Sequence, residues 1–202
     1  VLVSKNAWKT GGSKMFIEVG KKIKIDDLLH GIITSSGNDA SVAIAEHISG
    51  NEETFAIYMN QMADSMGMTN TSYANSTGLP NEDMHTTARD VSLLSRALIK
   101  DFPKEYKLYA EKEYVFNKIK QYSRNKLLYL DDSVDGIKTG FTRKAGYCLA
   151  ASAKRGSRRL ISVVLGAKSP DQRTKVSKAL LEYGFRFYET HKIFSNNQEL
   201  IQ

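Results

Sequence analysis

A change of hydrophobic period near residue 110 constrains this chain more than any other feature. Before it, apolar residues recur at helical spacing; after it come short runs rich in β-branched residues, punctuated by glycine. Gly146 to Ala153 and Arg159 to Ala167 are two such runs. The turn-like Lys154-Arg155-Gly156-Ser157 between them predicts an antiparallel hairpin. Asp135 to Phe141 precedes that hairpin as a third strand, and Pro170 to about Glu189 closes the chain as a helix. Helices first, then an antiparallel sheet, then a helix laid on it is an α+β pattern.

The helical half divides at its breakers. Ile25 to Thr34 carries Asp26 and Asp27 in its first turn, where the helix dipole favours anions, and ends at Ser35-Ser36-Gly37-Asn38. Asp39 to Ile48 is apolar enough to predict burial on most sides. In Glu52 to Met66, the side chains Phe55, Tyr58, Met59, Met62 and Met66 form a stripe read as core packing. Gly67 to Asp83 reads as irregular loop, and Thr86 or Thr87 caps a helix to Lys100 with Val91, Leu94 and Leu98 inward. Residues 1–25 read as loop with brief strands, including Lys14 to Val19. Glu113 to Phe116 reads as a strand followed by a polar connection to Arg124, and Leu127 to Leu130 as an apolar run.

Composition narrows the chemistry. The 202 residues can bury a core, and a net charge of +7 suits anionic surroundings. Yet the basic residues do not interleave with aromatics, so nucleic acid is not expected as a partner. Four histidines and one cysteine, Cys148, lack metal-ligand spacing, and no glycine-rich phosphate loop is present. No metal or cofactor is expected. Cys148 reads as a small core residue. No apolar run reaches membrane-span length.

Two short motifs remain: Ser36-Gly37-Asn38 at a helix junction and Lys138-Thr139-Gly140 on a strand. Alone, Ser36 reads as the N-cap of the next helix, and a lone Lys-Thr-Gly as a turn with a solvated lysine. In this order the two, with Ser36 to Ala40, Asp135 to Gly140, Lys144-Ala145-Gly146-Tyr147 and Tyr183-Gly184-Phe185-Arg186, resemble the low-molecular-mass penicillin-binding proteins that are serine-type D-alanyl-D-alanine carboxypeptidases. Ala7-Trp8 and the loop after it resemble the loop beside their active site. The resemblance covers nearly the whole chain.

It implies a β-lactamase/transpeptidase-like fold, an antiparallel sheet flanked by helices. The implied enzyme is a hydrolase that removes the terminal D-alanine of peptidoglycan stem peptides through an acyl-enzyme, without a cofactor. Ser36 would relay a proton, polarised by Lys138, and Asn38 would hold the substrate amide and the catalytic lysine. Thr139 and Arg173 would receive the terminal carboxylate. Arg124 would shape the cleft, Gly140 would allow close approach, and the Phe141 N–H would donate to an oxyanion. The implied partners are a pentapeptide ending in D-Ala-D-Ala, β-lactams, and a membrane surface reached through a C-terminal tail. The implied location is the periplasm or the outer face of the cytoplasmic membrane.

The family's Ser-x-x-Lys lies upstream of Ser-x-Asn. Here the only Ser-x-x-Lys, Ser123 to Lys126, comes later and is rejected as a decoy. The expectation is therefore an N-terminally truncated catalytic domain over 1–189, missing a first strand and the helix with the nucleophile, and inactive alone. Residues 190–202 are expected to begin a β-domain or linker. A serine β-lactamase and a non-catalytic wall-binding module remain open as alternatives.

Overall fold

The computed structural model describes residues 1–191. The second segment expected to begin at residue 190 lies, from residue 192 onward, outside the described residues.

Three helices occupy the first fifty residues: α1 (Lys5–Lys9), α2 (Ile25–Ser35) and α3 (Asn38–Ser49). Ser4 caps α1 by accepting the Ala7 N–H at 2.9 Å, and Asp26 and Asp27 sit in the first turn of α2 as the dipole favours. Val3, Ala7, Met15, Ile17, Leu28, Ala40 and Val42 form one buried core with the inner faces of α2 and α3. The expected architecture lacking its N-terminal elements is corrected by these packed helices. The opening segment is drawn in by backbone pairing, with Val3 N–H on Lys21 O and Ile23 N–H on Val1 O, both at 2.9 Å.

Lys14 to Val19 is not a strand. Phe16 has φ +68°, and the backbone N–H groups of Met15, Phe16 and Ile17 turn inward to the Asp39 carboxylate at 2.8, 3.0 and 3.3 Å. A side-chain acceptor has replaced a neighbouring strand.

Next is α4 (Glu52–Ser65), capped by Asn51 on the Thr54 N–H. Its stripe reading is corrected: Ala56 and Ala63 are buried, whereas Tyr58 is 49% and Met62 60% exposed. The period was helical, but the small residues face inward, where α4 meets α3. The loop that follows is tied to α5 (Ala88–Asp101) by Asp90, which accepts Asn70 N–H at 2.9 Å and Thr71 Oγ1 at 2.8 Å. Thr87 is the α5 cap. Val91 and Leu98 are half-buried, while Leu94 lies outward.

A 3-10 turn (Glu105–Ala110) leads to the hairpin β1 (Glu113–Phe116) and β2 (Ile119–Tyr122). The second strand had been read as a polar connection. Asn117 and Lys118 both take positive φ, +47° and +64°, which closes a two-residue hairpin without glycine. Leu127–Leu130 is a short helix, α6.

The expected sheet is present: β3 (Val134–Thr142), β4 (Gly146–Arg155) and β5 (Arg158–Ala167), antiparallel in the order β3-β4-β5. Helix α7 (Pro170–Phe187), capped by Ser169, packs on β4 and β5. A second core joins Leu127, Leu128, Val134, Leu149, Ala151 and Leu181. This is the predicted α+β class, an antiparallel sheet flanked by helices. No helix of the described residues is long and apolar enough to cross a membrane.

Candidate functional site

The α2–α3 junction, built on the helical core, meets strand β3 of the sheet at one point. Ser36 is not the N-cap of α3. It is the left-handed residue that ends α2 (φ +56°, ψ +42°), and Gly37 takes the cap position without a side-chain bond. The left-handed turn is uncommon for serine and re-aims its side chain away from the helix ends. The Lys138 ammonium on β3 donates to Ser36 Oγ in a short hydrogen bond across 102 residues of sequence. It also reaches its neighbour's carbonyl, Thr139 O, at 3.2 Å.

Lys138 makes no ion pair among the described residues. Burial of the ammonium pulls its pKa down from 10.5 to about 8, and the positive charges of Arg124 and Arg173 add to the effect. A serine hydroxyl against an amine poised near neutrality is an arrangement for moving protons.

The serine side is held from behind. Asn38 is buried and donates through Nδ2 to Gly11 O at 2.8 Å, and its own N–H goes to Ser13 O at 2.8 Å. A Cβ on Gly12 would stand 2.6 Å from Asn38 Nδ2, so the loop after Trp8 closes over this asparagine only because residue 12 is glycine. Asp39, 1% exposed, gathers the three N–H groups of residues 15–17.

The strand side is held by charge. Asp135 takes both guanidinium nitrogens of Arg159, at 2.7 and 2.6 Å, and Tyr106 Oη donates to the same carboxylate at 3.1 Å. Arg159 also donates to Ser152 Oγ at 2.6 Å, tying β3, β4 and β5 together. Burial drives the Tyr106 hydroxyl well above the usual phenol range, so it stays a donor. A Cβ on Gly136 would lie 2.5 Å from Tyr106 Oη. Asn125, 3% exposed, donates to Gly136 O at 3.0 Å.

The remaining expected site residues fall into two groups. Thr139, Gly140 and Phe141 follow Lys138 along β3, the edge strand of its sheet, and Phe141 is exposed and stacked on Tyr147 at 4.3 Å. Arg173, 6% exposed, is spent on carbonyls: Gly140 O at 3.1 Å, Cys148 O at 3.3 Å and Arg124 O at 3.4 Å. Arg124 is exposed beside it. Ser123 and Lys126 do not form a serine–lysine pair, since Lys126 Nζ is engaged by Asp171 at 2.7 Å. Cys148 is half-buried, next to β3 rather than in either core. Asp39, Asn125 and Arg159 had no expected role. Asp39 and Asp135 stand inside the quoted motifs, and that adjacency was the one available signal.

Comparison with known proteins gives a consistent picture. The family model for Peptidase_S11, D-alanyl-D-alanine carboxypeptidase, matches residues 1–169. Over 197 residues the chain is 48% identical to D-alanyl-D-alanine carboxypeptidase DacC of Escherichia coli K12, covering 94% of this chain and 49% of that protein. The crystal structure of D-alanyl-D-alanine carboxypeptidase DacD from Francisella tularensis superposes with a TM-score of 0.95 at 36% identity, over 98% of this chain and 60% of that one. Penicillin-binding protein 6B from Escherichia coli does so with a TM-score of 0.93 at 38% identity, over 100% and 66%. The chain spans about half the length of the curated relatives it matches. The expectation of an N-terminally truncated domain, inactive for want of its nucleophile region, is corrected by these matches. The family model matches from residue 1, and the relatives' matches cover nearly all of the chain.

Proposed function

From a chain that belongs to the D-alanyl-D-alanine carboxypeptidase family, we propose a serine-type carboxypeptidase acting on peptidoglycan stem peptides that end in D-Ala-D-Ala. The observation that carries the reading is the Lys138 ammonium held on Ser36 Oγ, in a setting that draws the lysine down to about 8. In the whole protein the reaction is acyl transfer: the family's serine nucleophile attacks the carbonyl of the D-Ala-D-Ala bond, its proton passes to the amine of the departing D-alanine as the ester forms, and water hydrolyses the ester.

Ser36 passes a proton to the departing amine. Lys138 as a cation keeps that hydroxyl polarised and restores its proton. Asn38 Nδ2 is committed to Gly11, so the side chain presents its Oδ1 to a substrate amide and fixes the loop over the cleft. Thr139, at the open edge of β3, offers a hydroxyl to the terminal carboxylate, and Arg124 supplies positive charge near it. Arg173 acts as a positioning residue: with three carbonyls to hold, it fixes the β3 backbone from which Gly140 and Phe141 face the reacting carbonyl. The Phe141 N–H is the oxyanion donor on this wall. A β-lactam, as a cyclic acyl donor, would acylate the same centre, and the protein works outside the cytoplasmic membrane, where the polymer lies.

The test, on the full-length protein, is D-alanine release from a D-Ala-D-Ala peptide together with covalent labelling by a fluorescent penicillin. Both are expected, and both should be lost when unlabelled penicillin is added first. Rapid, complete hydrolysis of the penicillin with no peptide turnover would point to a β-lactamase. Neither release nor labelling would leave the wall-binding alternative.

A further inference from the structure

A cleft of about 550 Å³ opens at the turn between β3 and β4, lined among others by Phe141, Arg143, Lys144, Tyr147, Ala167 and Lys168. It is of a size to take a small ligand or one or two sugar rings. Its lining includes three cations and no carboxylate. Arg143, Lys144 and Lys168 are exposed, and none pairs with an acid among the described residues.

The turn is built to bring them together. Gly146 has φ +69°, and a Cβ there would stand 3.0 Å from Ala167 O, so glycine lets the turn lie against the end of β5. Thr142 Oγ1 accepts the Ala145 N–H at 2.9 Å and fixes the two cations of the turn relative to Lys168. Phe141, 55% exposed, lies over Tyr147 at 4.3 Å with the rings 28° apart, which presents one aromatic face to the cleft.

We propose that this cleft is a second binding site, for a carboxylate-bearing segment of the peptidoglycan strand. The three cations take the carboxylate, and the exposed ring takes the apolar face of a sugar. Phe141 both ends the β3 wall and opens this cleft, so a polymer whose peptide end lies along β3 continues into it. The choice of polymer rests on the carboxypeptidase reading; the ligand chemistry, an anion beside a ring, does not.

The test is co-sedimentation of the protein with insoluble peptidoglycan at low salt, against the same material with its carboxyl groups converted to amides. Each exposed cation contributes modestly. Replacing Arg143, Lys144 and Lys168 together by alanine should therefore weaken binding about tenfold, and amidation should do the same. Raising the salt to about 0.5 M should erase the difference between the wild type and the triple variant. Lys144→Glu alone should weaken binding more than Lys144→Ala, which separates charge from shape. Equal sedimentation of the triple variant, or indifference to amidation, overturns the proposal. D-alanine release from a short peptide is measured alongside. Absent release with intact carboxylate-dependent sedimentation sinks the carboxypeptidase reading and spares the cleft; release with unaltered sedimentation sinks the cleft alone.

Discussion

The two walls that meet at Ser36 and Lys138 are held in different ways. Behind Ser36 the support is one buried carboxylate collecting backbone: Asp39 takes three successive N–H groups of a segment with no strand partner. Behind Lys138 the support is side chain to side chain: Asp135, Arg159, Tyr106 and Ser152 link three strands and a 3-10 turn. If the first wall loses Asp39, Asn38 still holds Gly11 and Ser13, but the N–H groups of residues 15–17 lose their acceptor. The second is a sheet that would stand without its ion pair. Failure of the serine wall should therefore be structural, whereas damage to the strand wall should appear first in catalysis.

The largest effect that sharpens this contrast is Lys138→Ala. It removes the ammonium from Ser36 Oγ and should lower kcat for D-alanine release by about 10³-fold, roughly 4 kcal/mol in barrier, without lowering the thermal midpoint, since the cost of burying the charge goes with it. Asp39→Ala should do the reverse. Leaving the Met15, Phe16 and Ile17 N–H groups unpaired in a buried site should cost about 3 kcal/mol or more of stability in urea unfolding. If Asp39→Ala melted like the wild type, the contrast would be broken. Arg159→Ala removes a partly exposed pair and strands Asp135 beside Tyr106, so kcat/KM for D-alanine release should fall by about 2 kcal/mol in barrier while urea unfolding moves less than for Asp39→Ala, with Arg159→Lys recovering only part of the rate.

The last effect is in pH. A lysine that loses its proton near 8 in the folded protein and 10.5 when unfolded leaves the unfolded state holding more protons between those values. Lys138 therefore makes its full unfavourable contribution below pH 8, and that cost is relieved as pH rises from about 8 to 10.5. Activity should run the opposite way, because the cation polarises Ser36: kcat/KM should fall about tenfold per unit above pH 8. A profile flat to pH 10 would show that Lys138 does not act as a cation.

What could be read beforehand follows the same division. The sheet was legible because β-branched runs and the Lys154 to Ser157 turn carry local information, and α7 because Ser169, Pro170 and its apolar spacing do. The first 24 residues were not legible. Met15 to Ile17 looks like a strand, and only Asp39, more than twenty residues later, makes it a wrap. The β1–β2 hairpin was missed because Asn117-Lys118 adopts a turn usually announced by glycine. In the site, Ser36 and Lys138 were identified as partners, but the left-handed turn at Ser36 depends on how α2 and α3 join. Arg173 was legible as a cation and not as a buried clamp, since nothing local shows that three carbonyls converge on it.

The central claim is that Ser36 and Lys138 act as a single unit. It is tested most directly by a double-mutant cycle on kcat/KM for D-alanine release, using Ser36→Ala, Lys138→Ala and the double variant. If the two form one proton-handling pair, the double variant should be about as slow as Lys138→Ala alone, leaving a large coupling energy. Losses that multiply, so that the double variant is slower by the product of the single effects, would contradict it.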